Sequence, residues 1–493
     1  MKESKLIGIL KTFSQEEFRS FEKMVYSPFF TIRDVTGLFE IIKGYHPEFN
    51  SDKLEKQIIF KQLFKGEAFN EKKLKNMVSE LTRLAEEFLV NISAVSGKNE
   101  SIRLLAGQYK ERKNDKLFIR TLNILENKLH ENLFDSIECY NEEEKLERLK
   151  ESYYNSVNNF ERSVTSKLIY SEYFTISFLI RFMRQLRDKN TITIAFNLPF
   201  ENTLLDSVYE SLDFDRLLCK LKENNYPMLW LIEIYYYVYK SSTEIESDFY
   251  YDCLKSNFLE NIEKFSHKEK YFLFNDLIDC CVRKCNIGLK HYEKEEFEIY
   301  TYLFDHNAYS SSENDYLAII FYRNVMLLAL NLREFEWLRQ FILNHSDKLK
   351  PEYRENMMNL ASANLSFEEG KFEKALKFIS KVQYDFFLYK TDVKKLMLMI
   401  YYELNLFDQA FSLIDSFKHF LTDTTEISAL YKTQHSNFVN IYNKLIKAKS
   451  SESLIDAGLL VNEIEKFDSI AGRNWLIRKV NEFTKKGLPK KVW

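Results

Sequence analysis

The chain reads as an all-α protein: a helical module followed by a helix-hairpin array of the α-α superhelix type. Three observations lead there. The 493 residues hold only 11 glycines and 6 prolines, and the 180 residues from 108 to 287 contain no glycine. Tight β-turns usually need glycine or proline, whereas helix hairpins can turn on asparagine or serine. Apolar residues recur at helical spacing along most of the chain, and strand-like alternation reaches no useful length. Helix start signals are also plain, with Ser14-Gln15-Glu16-Glu17 and Ser266-His267-Lys268-Glu269 both spelling capping boxes.

Residues 1–95 carry closely spaced start and stop signals and form an N-terminal helical module. After the Ser14 box, Phe18, Phe21, Met24 and Val25 share a face until Ser27-Pro28 stops the helix. A second helix is expected from Thr31 to Lys43, ended by Gly44 and Pro47, and a third after Ser51. The last starts at Asn70 and carries Leu74, Val78, Leu81, Ala85 and Phe88, the stripe of an amphipathic helix. Ser93 to Ser101, rich in Ser, Asn and Gly, reads as a linker.

Residues 101–350 read as an array of long helices, at Ser136–Ser163, Ser166–Asp188, Asn202–Glu223 and Ser266–Cys285. Asn190 to Asn197, with Thr191, Ile192, Thr193 and Ile194, is the one β-like run and is expected to be an extended connection.

Residues 351–447 contain an internal repeat. The segment Glu369-Gly370-Lys371-Phe372-Glu373-Lys374-Ala375-Leu376 returns 35 positions later as Leu404-Asn405-Leu406-Phe407-Asp408-Gln409-Ala410-Phe411. The same offset relates Ile379 to Ile414, and a weaker copy places Phe335 and Ile342 37 positions before Phe372 and Ile379. Each unit reads as two helices joined at Gly370 or Asn405, residues that tolerate the left-handed conformation ending a helix. Residues 448–493 add C-terminal helices and a basic tail, with Arg473, Arg478, Lys479, Lys485, Lys486, Lys490 and Lys491 facing one Glu482.

On these residues the stretch from about 315 to 420 resembles the tetratricopeptide repeat, a helix-turn-helix unit of about 34 residues. Small Ala375 and Ala410, the aromatics Phe372 and Phe407 before them, and Tyr401 carry the likeness. Ala363 supplies the small residue of a first helix, whereas Leu398 replaces it in the next copy, and both copies lack the closing proline. The resemblance implies a superhelix whose concave side binds peptide segments of partner proteins. Carried onto the matching positions, it places Asn364, Phe367 and Glu368, with Met399, Tyr402 and Glu403, on that concave side.

Bulk properties narrow the functions further. Seventy basic against 73 acidic residues argue against a polyanion as the main partner. Six cysteines make no disulfide scaffold, the N-terminus lacks a secretory apolar region, and the run Pro227–Tyr239 is too short for a membrane span of about 20 residues. The expectation is a cytoplasmic protein with reduced thiols and no membrane partner.

Candidate chemistry is sparse. No glycine lies in a GxGxxG or GxxxxGK[ST] pattern, and GxSxG, HExxH and CxxC are absent. Cys281 and Cys285 share a helix face with His291 nearby, but a fourth ligand is missing and core packing is the expected role. Glu142 to Glu144, and Glu293, Glu295, Glu296 and Glu298, read as solvated faces, and the tyrosines from Tyr235 to Tyr239 as helix-seam packing. Basic residues from Arg103 to Arg120, the series Arg181, Arg184 and Arg187, and the tail lysines Lys485 and Lys486 are the candidates for nucleic-acid contact.

The sequence therefore leads to a non-catalytic cytoplasmic scaffold or adaptor, without cofactor or metal, that binds a protein or peptide partner in a helical-repeat groove. The alternative is a nucleic-acid-binding regulator using the N-terminal module or the basic patches.

Overall fold

A computed structural model describes residues 1–30, 34–96, 98–130, 137–196, 203–383, 387–424, 427–451, 456–467 and 469–486. Over these residues the chain is all-α, with 24 helices and no strand. It divides into two compact units, Met1–Phe178 and Leu179–Trp493.

The first unit opens with α1 (Lys5–Leu10), α2 (Gln15–Val25), α3 (Thr36–Lys43), α4 (Lys56–Leu63) and α5 (Glu71–Ser96). The Ser14 box forms as read: its hydroxyl accepts the Glu17 N–H at 3.2 Å, and the Glu17 carboxylate accepts the Ser14 N–H at 2.7 Å. One core gathers these helices around Phe13, Phe21, Phe39 and Phe88, with Leu74, Leu81 and Ala85 buried from the expected stripe and Val78 at its margin. The expected second helix begins at Thr36, residues 31–33 lying outside the described set.

Helices α6 (Lys98–Glu111), α7 (Asp115–His130) and α8 (Ile137–Ser156) build a smaller core on Ala106, Phe118, Leu122, Leu125, Leu129, Leu146 and Tyr153. The stretch read as a linker is thus helical up to Ser96 and again from Lys98. Its flanking Ile92 and Ile102 pack against the first and second cores, and that packing outweighs the weak helix propensity of Ser, Asn and Gly.

Helix α9 (Phe160–Phe196) carries the chain into the second unit and corrects two expectations. No break separates residues 163 and 166. The helix expected from Ser136 to Ser163 ends instead at Ser156, in the turn at Asn158, whose φ is +56°. The Thr191–Ile194 run is helical, not extended. Tertiary packing again prevails, since the Asn190 amide just before the run donates to the Ser242 carbonyl at 2.7 Å.

The second unit continues with α10 (Leu204–Ser211), α11 (Phe214–Glu223), α12 (Leu229–Thr243), α13 (Phe249–Glu260), α14 (His267–Asn286) and α15 (Tyr292–Asp305). The single helix expected from Asn202 to Glu223 is two, because Leu212 is extended and Asp213 caps α11 by accepting the Arg216 N–H at 2.9 Å. Then follow α16 (Ile319–Leu332), α17 (Phe335–His345), α18 (Pro351–Glu368), α19 (Phe372–Ile379), α20 (Phe387–Glu403) and α21 (Phe407–Asp423). The unit ends with α22 (Ala429–Ser450), α23 (Ala457–Glu465) and α24 (Arg473–Lys486). Tyr235 and Tyr236 are buried, and the Tyr236 hydroxyl donates to Asp215 at 2.7 Å.

One turn recurs at helix ends. Lys113, Asn158, Asn225, Gly288, Asn307, Arg333, Gly370 and Asn405 all have positive φ. At each, the N–H of the next residue reaches the carbonyl five residues earlier, as Lys371 does to Ser366 at 2.8 Å and Leu406 to Tyr401 at 2.9 Å. This is the 6→1 bond of a Schellman cap. The residues after the last three turns also share a conformation: Glu334 (−79°, 56°), Lys371 (−93°, 67°) and Leu406 (−87°, 71°), followed by Phe335, Phe372 and Phe407.

The turn residue carries a measurable cost. A Cβ at Gly370 would meet nothing within 4 Å, so Gly370→Ala pays only for φ = +74°. It should lower the stability of the second unit by about 1 kcal/mol, and Lys113→Gly should raise that of the first by about 1 kcal/mol. Urea titration of each variant checks this; equal midpoints for variant and parent would refute it.

Candidate functional site

A buried charge pair ties together three helices of the second unit. Arg323 on α16 pairs through Nε and Nη2 with Asp392 on α20, the Nη2–Oδ1 distance being 3.0 Å. Nη2 also donates to the Tyr431 hydroxyl of α22 at 3.1 Å. Both charged side chains are about nine-tenths buried, at 10% and 8% exposure, so the pair persists only because each satisfies the other. His435 packs beside this network against Phe417 and Tyr431. Burial, with Lys395 adding, holds its imidazole down at about 4.

Two of these helices, α16 and α20, line a cleft of about 380 Å³ together with α18, α24 and the residue Gly472 just before it. Four of the six positions expected on the concave side meet here: Asn364, Phe367 and Glu368 from α18, and Met399 from α20. Phe367 and Met399 form its buried floor, while Glu368 is exposed. The other two positions are covered by the chain's own later helices. Tyr402 lies under the Trp475 ring, 5.2 Å between centroids, and under the Lys449 ammonium at 4.0 Å. Glu403 accepts from Trp475 Nε1 at 3.1 Å and pairs with Lys479 at 2.8 Å. Lys479, read as part of a basic tail, is therefore buried in an ion pair. Gly472 lets α24 enter: its φ is +65°, and a Cβ there would stand 3.3 Å from the Phe438 ring.

Sequence reasoning missed the far wall of this cleft, formed by Arg333, Lys395, Arg473, Trp475 and Arg478. The left-handed turn that presents Arg333 carries no glycine or asparagine to announce it.

A second cleft, of about 640 Å³, is lined from α14, α15 and α16 and shares Leu327 and Asn331 with the first. Asp279, Glu293 and Glu296 face it. The acidic series on α15 is not a uniform solvated face: Glu295 and Glu298 pair with Lys255 at 2.7 and 3.1 Å. Glu293 accepts from Asn331 at 2.8 Å. Burial and the neighbouring Glu293 push the Glu296 carboxyl up to about 7. The earlier run is likewise tied down, with Glu142 bonded to Arg103 at 3.0 Å and Glu143 buried, which raises its carboxyl.

The arginine series is split among different surroundings. Arg181 is exposed, but Arg184 lies over the rings of Phe272 and Tyr235 at 5.1 and 5.7 Å. Arg187 pairs with Asp276 at 2.5 Å, and burial still lifts that carboxyl to about 6. On α5, Lys73 is held by Glu67 at 2.8 Å and Arg83 by Glu80 at 2.7 Å. Lys485 and Lys486 close the backbone of α24, and their side chains lie outside the described residues, as do Lys490 and Lys491. Cys281 is buried and donates to the Tyr251 hydroxyl at 3.3 Å, while Cys285 lines the second cleft. Among the described residues no group of three or more His, Cys, Asp or Glu could hold a metal ion, and no helix is long and apolar enough to cross a membrane.

Two outcomes follow from the buried network. Asp392→Ala strands the Arg323 guanidinium and should cost about 3 kcal/mol in urea titrations; a loss below about 1 kcal/mol would refute its structural role. His435 is neutral when folded, down to about pH 4, but takes a proton near pH 6.5 when unfolded. The stability it contributes is complete above pH 6.5 and falls as pH drops toward 4, by up to ~3 kcal/mol. His435→Phe should flatten this part of the profile relative to the parent; parallel profiles would refute the assignment.

Comparison of the chain with protein-family models, with curated proteins and with solved structures returned no match.

Proposed function

We propose that this chain is a non-catalytic cytoplasmic scaffold or adaptor that holds a protein or peptide partner in the groove of its second unit. The helix pairs from about 315 to 420 then act as tetratricopeptide-like repeats. One observation carries the reading: side chains at corresponding places in two successive helix pairs, Asn364, Phe367 and Glu368 with Met399, meet at a single cleft. Leu327, Leu330, Leu396 and Trp475 add apolar surface, and Asn331, Asn364 and Asn474 add hydrogen-bonding groups. Apolar surface with a few placed polar groups is the composition of a recognition site.

Site-specific photo-crosslinking in the native host tests it. A benzophenone side chain at the exposed Glu368 should capture a discrete partner, and one at the exposed Glu373 on α19 should not. Equal capture at both positions, or at neither, would overturn the reading.

A further inference from the structure

The two clefts differ in charge. In the first, Arg333, Lys395, Arg473 and Arg478 stand against the single carboxylate Glu368. None of the four is bound to a carboxylate among the described residues; Arg473 spends its guanidinium on the backbone carbonyls of Ile464 and Phe467. In the second, Asp279, Glu293 and Glu296 stand against Lys290, whose side chain is 73% exposed and approaches Glu293 at 3.7 Å. Asp279 has a distant partner in Arg283, at 3.9 Å. Glu296 is partly buried, and no cation pairs with it among the described residues. Closer pairing is seen in Lys255 with Glu295 and Arg187 with Asp276, at 2.7 and 2.5 Å.

Helix α16 is the shared wall. Asn324 and Leu328 face the acidic cleft, Leu330 and Arg333 face the basic one, and Leu327 and Asn331, one turn apart, line both. Apolar side chains continue the floor on either side: Ile278, Val282 and Phe321 in one, Phe367 and Met399 in the other.

We propose that the two clefts form one bipolar docking groove for a peptide segment with a basic residue at one end, apolar residues between, and an acidic residue at the other. The proposal rests on the groove reading above and specifies its ligand. Charge complementarity selects this occupant. A nucleic acid or a uniformly acidic peptide would satisfy the four basic groups but bring negative charge against Asp279, Glu293 and Glu296. A uniformly basic peptide meets the reverse conflict. Like charges placed together exclude wrong partners, while opposite charges fix orientation and register.

Random peptides displayed on phage and panned against the full chain test this, followed by fluorescence anisotropy on the enriched sequences. The enriched peptides should be bipolar. Neutralising the basic end should weaken binding to the parent about tenfold, and that loss should shrink severalfold on Glu296→Gln, a near-isosteric change. Neutralising the acidic end should likewise cost about tenfold on the parent and little on Arg478→Gln, at an exposed position. Enriched peptides of one charge sign, or losses unchanged by both substitutions, would overturn the bipolar assignment and leave the groove standing. No enrichment at all would overturn both.

Discussion

A helix that ends inside an array must satisfy its last carbonyls and reverse the chain within a few residues. Here both tasks fall to one left-handed residue, whose successor's N–H reaches back five positions. The turn between α18 and α19, that between α20 and α21, and that between α16 and α17 share this geometry, so the second helix of each pair leaves its first in the same way. The cleft depends on that regularity. Asn364 and Met399 can meet because the helices bearing them, α18 and α20, are each followed by the same reversal.

The same turn explains how a chain so poor in glycine remains a chain of hairpins. Asparagine holds the left-handed position at 158, 225, 307 and 405, glycine only at 288 and 370, and lysine or arginine at 113 and 333. The Gly370 and Asn405 turns could be read from sequence because those residue types lower the cost of positive φ. The Arg333 turn could not, since a bulky side chain there gives no warning and is tolerated only because the packed helices on either side dictate the backbone. The β-branched residues Thr191 to Ile194 misled for the same reason, their local preference yielding to the helix that contains them.

The candidate site was half legible. Phe367 and Met399 lie where the resemblance to the tetratricopeptide repeat implied a concave lining, and both line the cleft. Tyr402 and Glu403 could not be placed correctly, because what covers them is Trp475, 73 and 72 positions away, and Lys479. Charge was the least legible quantity. Runs such as Glu295–Glu298 and Arg184–Arg187 look uniform in one dimension, yet in the folded chain some members bind partners from other helices and others face the clefts.

The Arg323–Asp392–Tyr431 network joins α16, α20 and α22, spanning 69 and 108 positions of sequence. In an ideal solenoid each repeat touches only its neighbours, so terminal repeats can fray while the interior stays folded. A tie that skips an intervening helix pair removes that independence: melting α20 or α22 strands a buried guanidinium on α16. Loss of α20 or α22 therefore destabilises α16 as well, so two walls of the first cleft are kept or lost together.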